Sequence, residues 1–306
     1  MSFTRSPKGL ENTRNFKGVD IIVYTEGGDG RQLTKEEIVL GGGQPDTDDA
    51  KFWQGVIAGV RPGIKAKVLS VGDCKVVESI AENIVENDLK GLFVAYDRDY
   101  KDFFGPDYRD ERVVLSYGYS WESDLFDEKT ILGCLESIVI RGFDRQEMSK
   151  KVHDFSTNVL NGLQYVIRCD QVFVVLGGQL FDRGRPGSIL VHDAQSKNPP
   201  AVDKERLIKN ITKKKKQLNA KGVFLVNRTT KIDPCRHAFG KFLLHVARRI
   251  IRCILREINQ TAAMADSYLD HFLMEAFHSI ISSRDKHHLI DYYNQVVGRA
   301  VDRATT

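Results

Sequence analysis

The stretch VDIIVYTE, residues 19–26, has the pattern of a buried β-strand that ends on an acid. Its apolar, β-branched run is continuous rather than alternating, which is typical of a central strand that is covered on both faces. A second run of this kind, GLFVAYD at residues 91–97, also ends on an acid, and Asp99 follows two residues later. Because apolar strands normally end in neutral turn residues, these acids need an explanation.

The segments around these two strands predict an α/β domain. Strands are expected at 66–72 (AKVLSVG) and 112–119 (RVVLSYGY), and amphipathic helices at 48–60, with Asp48 or Asp49 as its N-cap, and at 75–87. Strands that are separated by helices of about a dozen residues predict right-handed crossovers and a mostly parallel sheet flanked by helices.

The remainder of the chain predicts a different organisation. From about residue 123 onward the pattern is mainly helical, although 159–178 is ambiguous because QVFVVL alone resembles a strand; we favour a helix there. We therefore expect three parts: a loose arm at 1–18, an α/β domain at 19–130, and a mainly helical, basic region at 131–306.

Composition excludes several classes of protein. No segment approaches eighteen consecutive apolar residues, so no membrane span is expected, and the polar N-terminus lacks the apolar core of a signal peptide. The five cysteines are scattered and never spaced as C-x-x-C, which argues against a disulfide framework and a zinc site. A reducing, cytoplasmic location fits this composition.

Three acids form the candidate catalytic site. In an open parallel sheet, functional groups collect at the carboxyl ends of the strands, where Glu26, Asp97 and Asp99 are expected. Residues two apart on an extended segment face the same side, so the two aspartates are expected to point together. Carboxylates that converge in this way repel one another unless a cation such as Mg²⁺ lies between them. The alternative is that each acid caps a helix or is solvated.

The motifs resemble a known family. VYTEG with VAYDRDY resembles the two signature motifs of the Toprim fold, which is shared by topoisomerases, primases and nucleases of the overcoming-lysogenization-defect family. DDAKFW and SVGDCKVV are similar to the segments between these motifs in the nuclease branch, and SYGYSWESDLF is similar to its later segment, which carries another acid. The overall layout, with CRHAFGKFLL, resembles the AriB family of Toprim effectors from PARIS anti-phage defence systems. The insert at 27–48 departs from this pattern, because relatives usually keep the flanking segments adjacent.

The resemblance implies roles for the acids. Asp97 and Asp99 would bind Mg²⁺, and Glu26 would be a further ligand or the general base. Glu122 would be an additional ligand, so that one or two ions can bind. Lys75, at the start of the second helix, offers a positive contact to the scissile phosphate, or is simply a solvated lysine.

The resemblance also implies a function and partners. Effectors of this family are nucleases held inactive by an ABC-type ATPase, AriA, and released when phage anti-restriction proteins are sensed. They then act as homodimers that cleave host tRNA and cause abortive infection. Two other functions stay open: a Toprim enzyme that nicks DNA, and an interaction module without catalytic activity.

The basic region indicates a polyanionic partner. Residues 204–256 contain sixteen bases and two acids, whereas the other residues contain 29 bases and 39 acids. A helix is expected after Asp233 as N-cap and Pro234 as first residue. One face of it is apolar, and the opposite face carries Lys241, His245, Arg248, Arg252 and Arg256. A second cluster is formed by Lys213, Lys214, Lys215 and Lys216.

We expect these residues to contact a phosphate backbone, because almost no acids alternate with the bases to pair with them along the helix. Docking to an acidic protein and a solvated helix face are the alternatives. Contacts to the backbone provide affinity and not sequence choice, so the pattern does not distinguish RNA from DNA.

Overall fold

The fold is described from a computed structural model of the chain. It describes residues 8–28, 33–34, 37–38, 42–104, 110–139, 142–182, 184–190, 198–217, 231–258, 263–283 and 285–306. The predicted insert at 27–48 therefore lies partly outside the described residues.

The contacts within the chain define two compact units. One consists of Met1–Tyr117 with His278–Thr306, and the other of Gly118–Phe277. These limits differ from the expected ones, because the last helix of the chain belongs to the unit that contains the sheet and not to the basic helical unit.

The first unit is built on four parallel strands, which confirms the predicted α/β class. The strands follow the order β2–β1–β3–β4 across the sheet. They are β1 (Ile21–Thr25), β2 (Ala66–Ser70), β3 (Leu92–Tyr96) and β4 (Val113–Leu115). β4 is shorter than the segment 112–119 that the sequence predicts.

Strand β1 is central and buried on both faces, as its apolar run predicts. Ile22 and Tyr24 join one core with the helix that follows β2. Successive side chains of a strand point to opposite faces, so Ile21 and Val23, which are also fully buried, face the other side. All four side chains are thus removed from water. Burial of each large apolar group contributes about 1.5–3 kcal/mol to the stability of the folded state.

Helices cover the sheet of the first unit. They are α1 (Lys8–Lys17), α2 (Asp48–Val60), α3 (Cys74–Glu86), α4 (Lys101–Phe104) and, at the end of the chain, α13 (His288–Thr305). Within the expected loose arm, residues 8–17 are helical, and the Glu11 carboxylate accepts a hydrogen bond from the Lys90 backbone. The Trp53 ring of α2 meets the Tyr293 ring of α13 edge-on at 5.9 Å, which joins these two helices.

The second unit is helical, as predicted. Its helices are α5 (Trp121–Asp124), α6 (Glu128–Ile138), α7 (Arg145–Leu160), α8 (Leu163–Val175), α9 (Lys204–Gln217), α10 (Pro234–His237), α11 (Gly240–Glu257) and most of α12 (Asp266–Ser282). The helical interpretation of 159–178 is confirmed by α8. Asp233 caps α10 with Pro234 as first residue, as predicted, but the single helix expected from Pro234 onward is divided, because α10 ends at His237 and α11 begins at Gly240. Within the described part of the chain, no helix has the combined length and apolar composition that crossing a bilayer requires.

Candidate functional site

Glu26 and Asp97 lie together at the carboxyl edge of the sheet. β1 and β3 are adjacent and parallel, with Tyr24 opposite Val94. Each acid directly follows its strand, so the register brings the two residues to the same edge. The Asp97 backbone N–H donates a hydrogen bond to Glu26 Oε1 at 3.3 Å. Two acids that are 71 residues apart in the chain are therefore neighbours.

Asp99 reaches the same region by a turn and not by an extended strand. β3 ends at Tyr96, and Asp99 has a φ of 49°, in the left-handed region. The two aspartates were expected to point together because residues two apart on a strand face the same side. This reason is wrong, because Asp99 lies in a turn after the strand. The Asp99 carboxylate nevertheless lies close enough to raise the pKa of Glu26.

The buried side chain of Arg98 fixes this turn. Its Nε donates to the Ser116 carbonyl at 2.9 Å, its Nη1 contacts Asp102 at 2.6 Å, and its Nη2 donates to the Tyr292 hydroxyl at 2.6 Å. A guanidinium with several partners at fixed angles is more rigid than an ammonium group. Arg98 therefore holds the backbone that carries Asp97 and Asp99.

Asp49 joins the acids although the insert precedes it. The N-cap of α2 is Thr47, whose side chain accepts from the Ala50 backbone, so the expected capping by Asp48 or Asp49 is wrong. Asp49 lies in the first turn of α2, and its carboxylate is packed against Gly27: a Cβ atom on Gly27 would be 2.5 Å from Asp49 Oδ2. Its charge raises the pKa of Glu26. From the sequence, the insert left open whether Asp49 reaches the site, and Asp49 was not among the predicted catalytic or metal-binding residues.

Lys101 is a cation among these acids that the sequence analysis missed. Its Nζ lies 3.5 Å from Asp99 Oδ2 and donates to the Asp97 carbonyl at 3.1 Å. The ammonium group also lies 4.8 Å from the centre of the Tyr96 ring. Burial is the largest single influence and lowers the pKa of Lys101, but Asp99, Cys74 and Glu26 together outweigh it, so the pKa of Lys101 is raised. The available signal was its position in DRDYK, four residues after Asp97.

The surroundings of Glu26 favour a protonated carboxyl. Removal from water by burial is the largest cause, followed by the charge of Asp99, and Asp49 adds to it. Lys101 and the hydrogen bond from Asp97 act in the opposite direction. The result is a pKa of Glu26 of about 7, raised from 4.5.

The start of α3 presents Cys74 and not Lys75 to this cluster. The Lys75 side chain is exposed to solvent. The Cys74 thiol donates to Glu78 Oε1 at 3.3 Å, and Lys101 Nζ lies 3.3 Å from Cys74 Sγ. Burial and then the charge of Glu26 raise the pKa of Cys74 to about 12, so the thiol is neutral at pH 7. The proposed phosphate contact by Lys75 stays a prediction.

Glu122 belongs to the second unit. It lies in the short helix α5, where its buried carboxylate accepts a hydrogen bond from the Ser120 hydroxyl. Nearby, the Asp124 carboxylate accepts from the Gly118 backbone at 2.6 Å. The role of Glu122 as a metal ligand stays a prediction.

The chemistry of the acid cluster fits Mg²⁺. Glu26, Asp97, Asp99 and Asp49 offer hard oxygen atoms, which this ion prefers, and the charges of Asp99 and Asp49 add to burial in raising the pKa of Glu26. The cluster is not a closed cage: among the described residues, no three of these side chains bring oxygen atoms within 4.8 Å of one another. Binding a metal ion would therefore require side chains to rotate and the Lys101 ammonium group to move aside.

Acids from α12 neutralise part of the predicted basic face of α11. Arg248 binds Asp270 with two contacts, at 2.6 and 2.5 Å, and contacts Asp266 at 2.9 Å. Arg252 pairs with Asp266 at 2.5 Å. The argument that these arginines lack acidic partners is therefore wrong, because the acids come from the next helix and not from the same one.

The other predicted basic residues differ in exposure. His245 and Arg256 are half-buried, whereas Lys241, in the first turn of α11, is exposed. On α9, Lys213 and Lys216 are exposed and Lys214 and Lys215 are half-buried. The accessible positive charge lies more on α9 than on the central part of α11.

Replacing Gly27 with Ala is expected to destabilise the site. Gly27 has a φ of 101° and forms two backbone hydrogen bonds with Gly72, so an alanine there is strained and also collides with Asp49. We expect a loss of about 1–3 kcal/mol in the free energy of unfolding, measured by chemical denaturation. Gly63→Ala is the matched control, since nothing lies within 4 Å of the added Cβ; equal losses in both variants would contradict the prediction.

No protein-family model matches this sequence, and a search of curated proteins gives no match. The functional interpretation therefore depends on the motifs and on the geometry of the acid cluster.

Proposed function

We propose that this chain is a Mg²⁺-dependent Toprim-type endonuclease that hydrolyses phosphodiester bonds. One observation carries the proposal: Glu26 and Asp97 meet at the carboxyl edge of a parallel sheet, and Asp99 and Asp49 lie near enough to raise the pKa of Glu26. Acids gathered at this edge are suited to hold a cation against a phosphate.

Each residue of the cluster has a chemical role in this proposal. Asp97 and Asp99 would hold Mg²⁺, which when bound stabilises negative charge on the phosphate oxygens and activates water. Glu26 would be a further ligand or the general base; as the base it would accept a proton from an attacking water, which its pKa of about 7 in the metal-free chain favours near neutral pH. Arg98 holds the turn that presents the two aspartates.

Lys101 has two roles in the same proposal. Its ammonium group keeps the acids together when no other cation is present, through its contacts with Asp99 and the Asp97 carbonyl. Once displaced from the acids, it is able to contact a phosphate oxygen, where negative charge develops during hydrolysis.

The biological role is proposed from the motif resemblance to the AriB family. We infer an effector of anti-phage defence that acts in the cytoplasm and is held inactive by the ABC-type ATPase AriA. After release it would form a homodimer and cleave host tRNA, which stops translation.

Cleavage assays test this function directly. The purified protein is incubated with Mg²⁺ and either total RNA or supercoiled plasmid, with and without EDTA. We expect cleaved RNA, intact plasmid, and no reaction in EDTA. Nicked plasmid with intact RNA would favour the DNA-nicking alternative, and intact substrates in both reactions would favour the interaction module.

The partner is tested in cells. Expression of the chain alone is expected to arrest growth and to produce new RNA ends, which are mapped by sequencing. Co-expression of the ATPase is expected to suppress both effects. RNA ends that are the same with and without the ATPase would contradict the proposed regulation.

A further inference from the structure

The second unit contains a cleft of about 900 Å³, and of the residues predicted for the basic face of α11 only His245 is among those that line it. Its walls are the helix α9 and the segments 179–182 and 185–188, and His245 of α11 lies at its base. A cleft of this size is in the range of ligand-binding sites.

One face of α9 forms a polar wall of this cleft. Its lining residues are spaced by four, three, one and three positions, so they share about 100° of the helix circumference. They are Arg206, Asn210, Lys213, Lys214 and Gln217. Leu207 and Ile211 are buried on the adjacent face and anchor the helix. The wall extends about 16 Å along the helix axis.

The opposite wall and the base are fixed by specific contacts. Arg206 Nη1 donates to the Ser188 carbonyl at 3.3 Å, which joins α9 to the facing segment. The His245 ring packs against Gly187, where an added Cβ would lie 2.4 Å from Nε2. Burial, and then Arg248, lower the pKa of His245, so the base of the cleft is neutral near pH 7. The walls carry four bases, Arg185, Arg206, Lys213 and Lys214, and one acid, Asp182, so their net charge is positive.

The lining favours a sugar–phosphate chain over a base. Among the described lining residues, two carry rings: Phe181, which is 3% exposed because it packs against Phe239 and Phe242, and His245, which is half-buried at the base. None of the lining residues of α9 carries a ring, so this wall offers polar contacts and not base stacking. Gln179, Asn210 and Gln217 offer both donors and acceptors, which suit sugar hydroxyl groups and phosphate oxygens.

We infer that this cleft binds the sugar–phosphate backbone of a nucleic acid. The inference deepens the proposed function and rests on it, since it gives the nuclease a surface that holds its substrate. Consecutive phosphates of one strand are about 3.4 Å apart along a duplex, so the α9 wall is long enough to contact several of them. Of the four consecutive lysines, Lys213 and Lys214 line the cleft.

Two matched double variants test the cleft. Lys213→Gln with Lys214→Gln removes two charges from the wall, and Lys204→Gln with Lys209→Gln removes two from exposed positions of the same helix outside it. Binding of the full chain to fluorescent single-stranded RNA and to DNA of the same sequence is measured by anisotropy in EDTA. Poly-glutamate serves as an acidic protein-like competitor.

The expected result is a difference between the two variants. Loss of two phosphate contacts is expected to weaken binding about tenfold or more and to reduce the slope of log affinity against log salt by about 1.5. The control pair is expected to change affinity less than about twofold, through long-range charge alone. If RNA binds more tightly than DNA, we attribute the difference to hydrogen bonds between the amide groups of the wall and the 2′-hydroxyl groups of RNA.

Several outcomes would overturn the inference: equal losses in both variants, no loss in the cleft variant, no binding of RNA or DNA by the wild type, or stronger binding of poly-glutamate than of either nucleic acid. The nuclease proposal fails separately. If the wild type binds through the cleft but cleaves neither nucleic acid in Mg²⁺, the cleft inference stands and the catalytic assignment does not.

Discussion

Replacing Glu26 with Gln, or Asp97 with Asn, is expected to lower the rate of RNA cleavage by about 10³-fold or more, since each change removes a metal-binding or proton-accepting oxygen from the reaction. Both variants are expected to fold. The carboxamide oxygen that Glu26→Gln introduces is still able to accept from the Asp97 backbone, as the Glu26 carboxylate does at 3.3 Å. Single-turnover cleavage at saturating Mg²⁺ measures the effect.

The control for this prediction is an acid of the same kind outside the cluster. Glu82 lies on α3, is exposed, and is replaced by Gln with no expected change in rate. Circular dichroism and thermal denaturation establish that all three variants are folded. Cleavage by both site variants at more than a tenth of the wild-type rate would refute the catalytic assignment.

The sheet and the meeting of two acids were predictable because the signals are local. The unbroken apolar run of β1 indicates burial on both faces, and the structure places the strand between β2 and β3. An acid that directly follows each of two adjacent parallel strands must lie at the same edge. The proximity of Glu26 and Asp97 could therefore be predicted from the sequence alone.

The turn at Asp99 and the first turn of α2 were not predictable from local pattern. The left-handed conformation of Asp99 is held by contacts of Arg98 with Ser116 and Tyr292, which lie far away in the chain. Thr47 takes the cap position because its hydroxyl is placed to accept from Ala50, and this leaves Asp49 next to Gly27. Such competition between neighbouring capping residues is decided by tertiary contacts.

The sequence pattern of α11 also did not predict which of its bases have acidic partners. Pairing along one helix is visible in the sequence at spacings of three and four residues. The acids that pair with Arg248 and Arg252 are 14 to 22 residues further along the chain, on α12. The sequence therefore overestimated the free charge of α11, and the cleft beside α9 required the fold to bring 179–182 and 185–188 opposite 206–217.

The metal-free protein is expected to lose stability as pH rises from about 4.5 to about 7. The pKa of Glu26 is about 7 in the folded state and about 4.5 when unfolded, so the folded state binds more protons between these values. Ionisation of this carboxyl then opposes folding, by up to about 3 kcal/mol above pH 7. In Glu26→Gln this titration is absent, so its free energy of unfolding relative to the wild type is expected to rise by that amount between pH 4.5 and 7.5. Urea denaturation in EDTA at several pH values measures the difference.

Mg²⁺ is expected to reverse this loss because it binds the ionised acids of the folded state and stabilises that state by mass action. At pH 7.5 the wild type should therefore gain stability with Mg²⁺ concentration, Glu26→Gln and Asp97→Asn should gain much less, and Glu82→Gln should follow the wild type. Parallel pH profiles of the wild type and Glu26→Gln would show that the pKa of Glu26 is not raised in the folded state. If Mg²⁺ stabilised all four proteins equally, the ion would not bind at the cluster of Glu26, Asp97 and Asp99. It would then bind elsewhere on the chain.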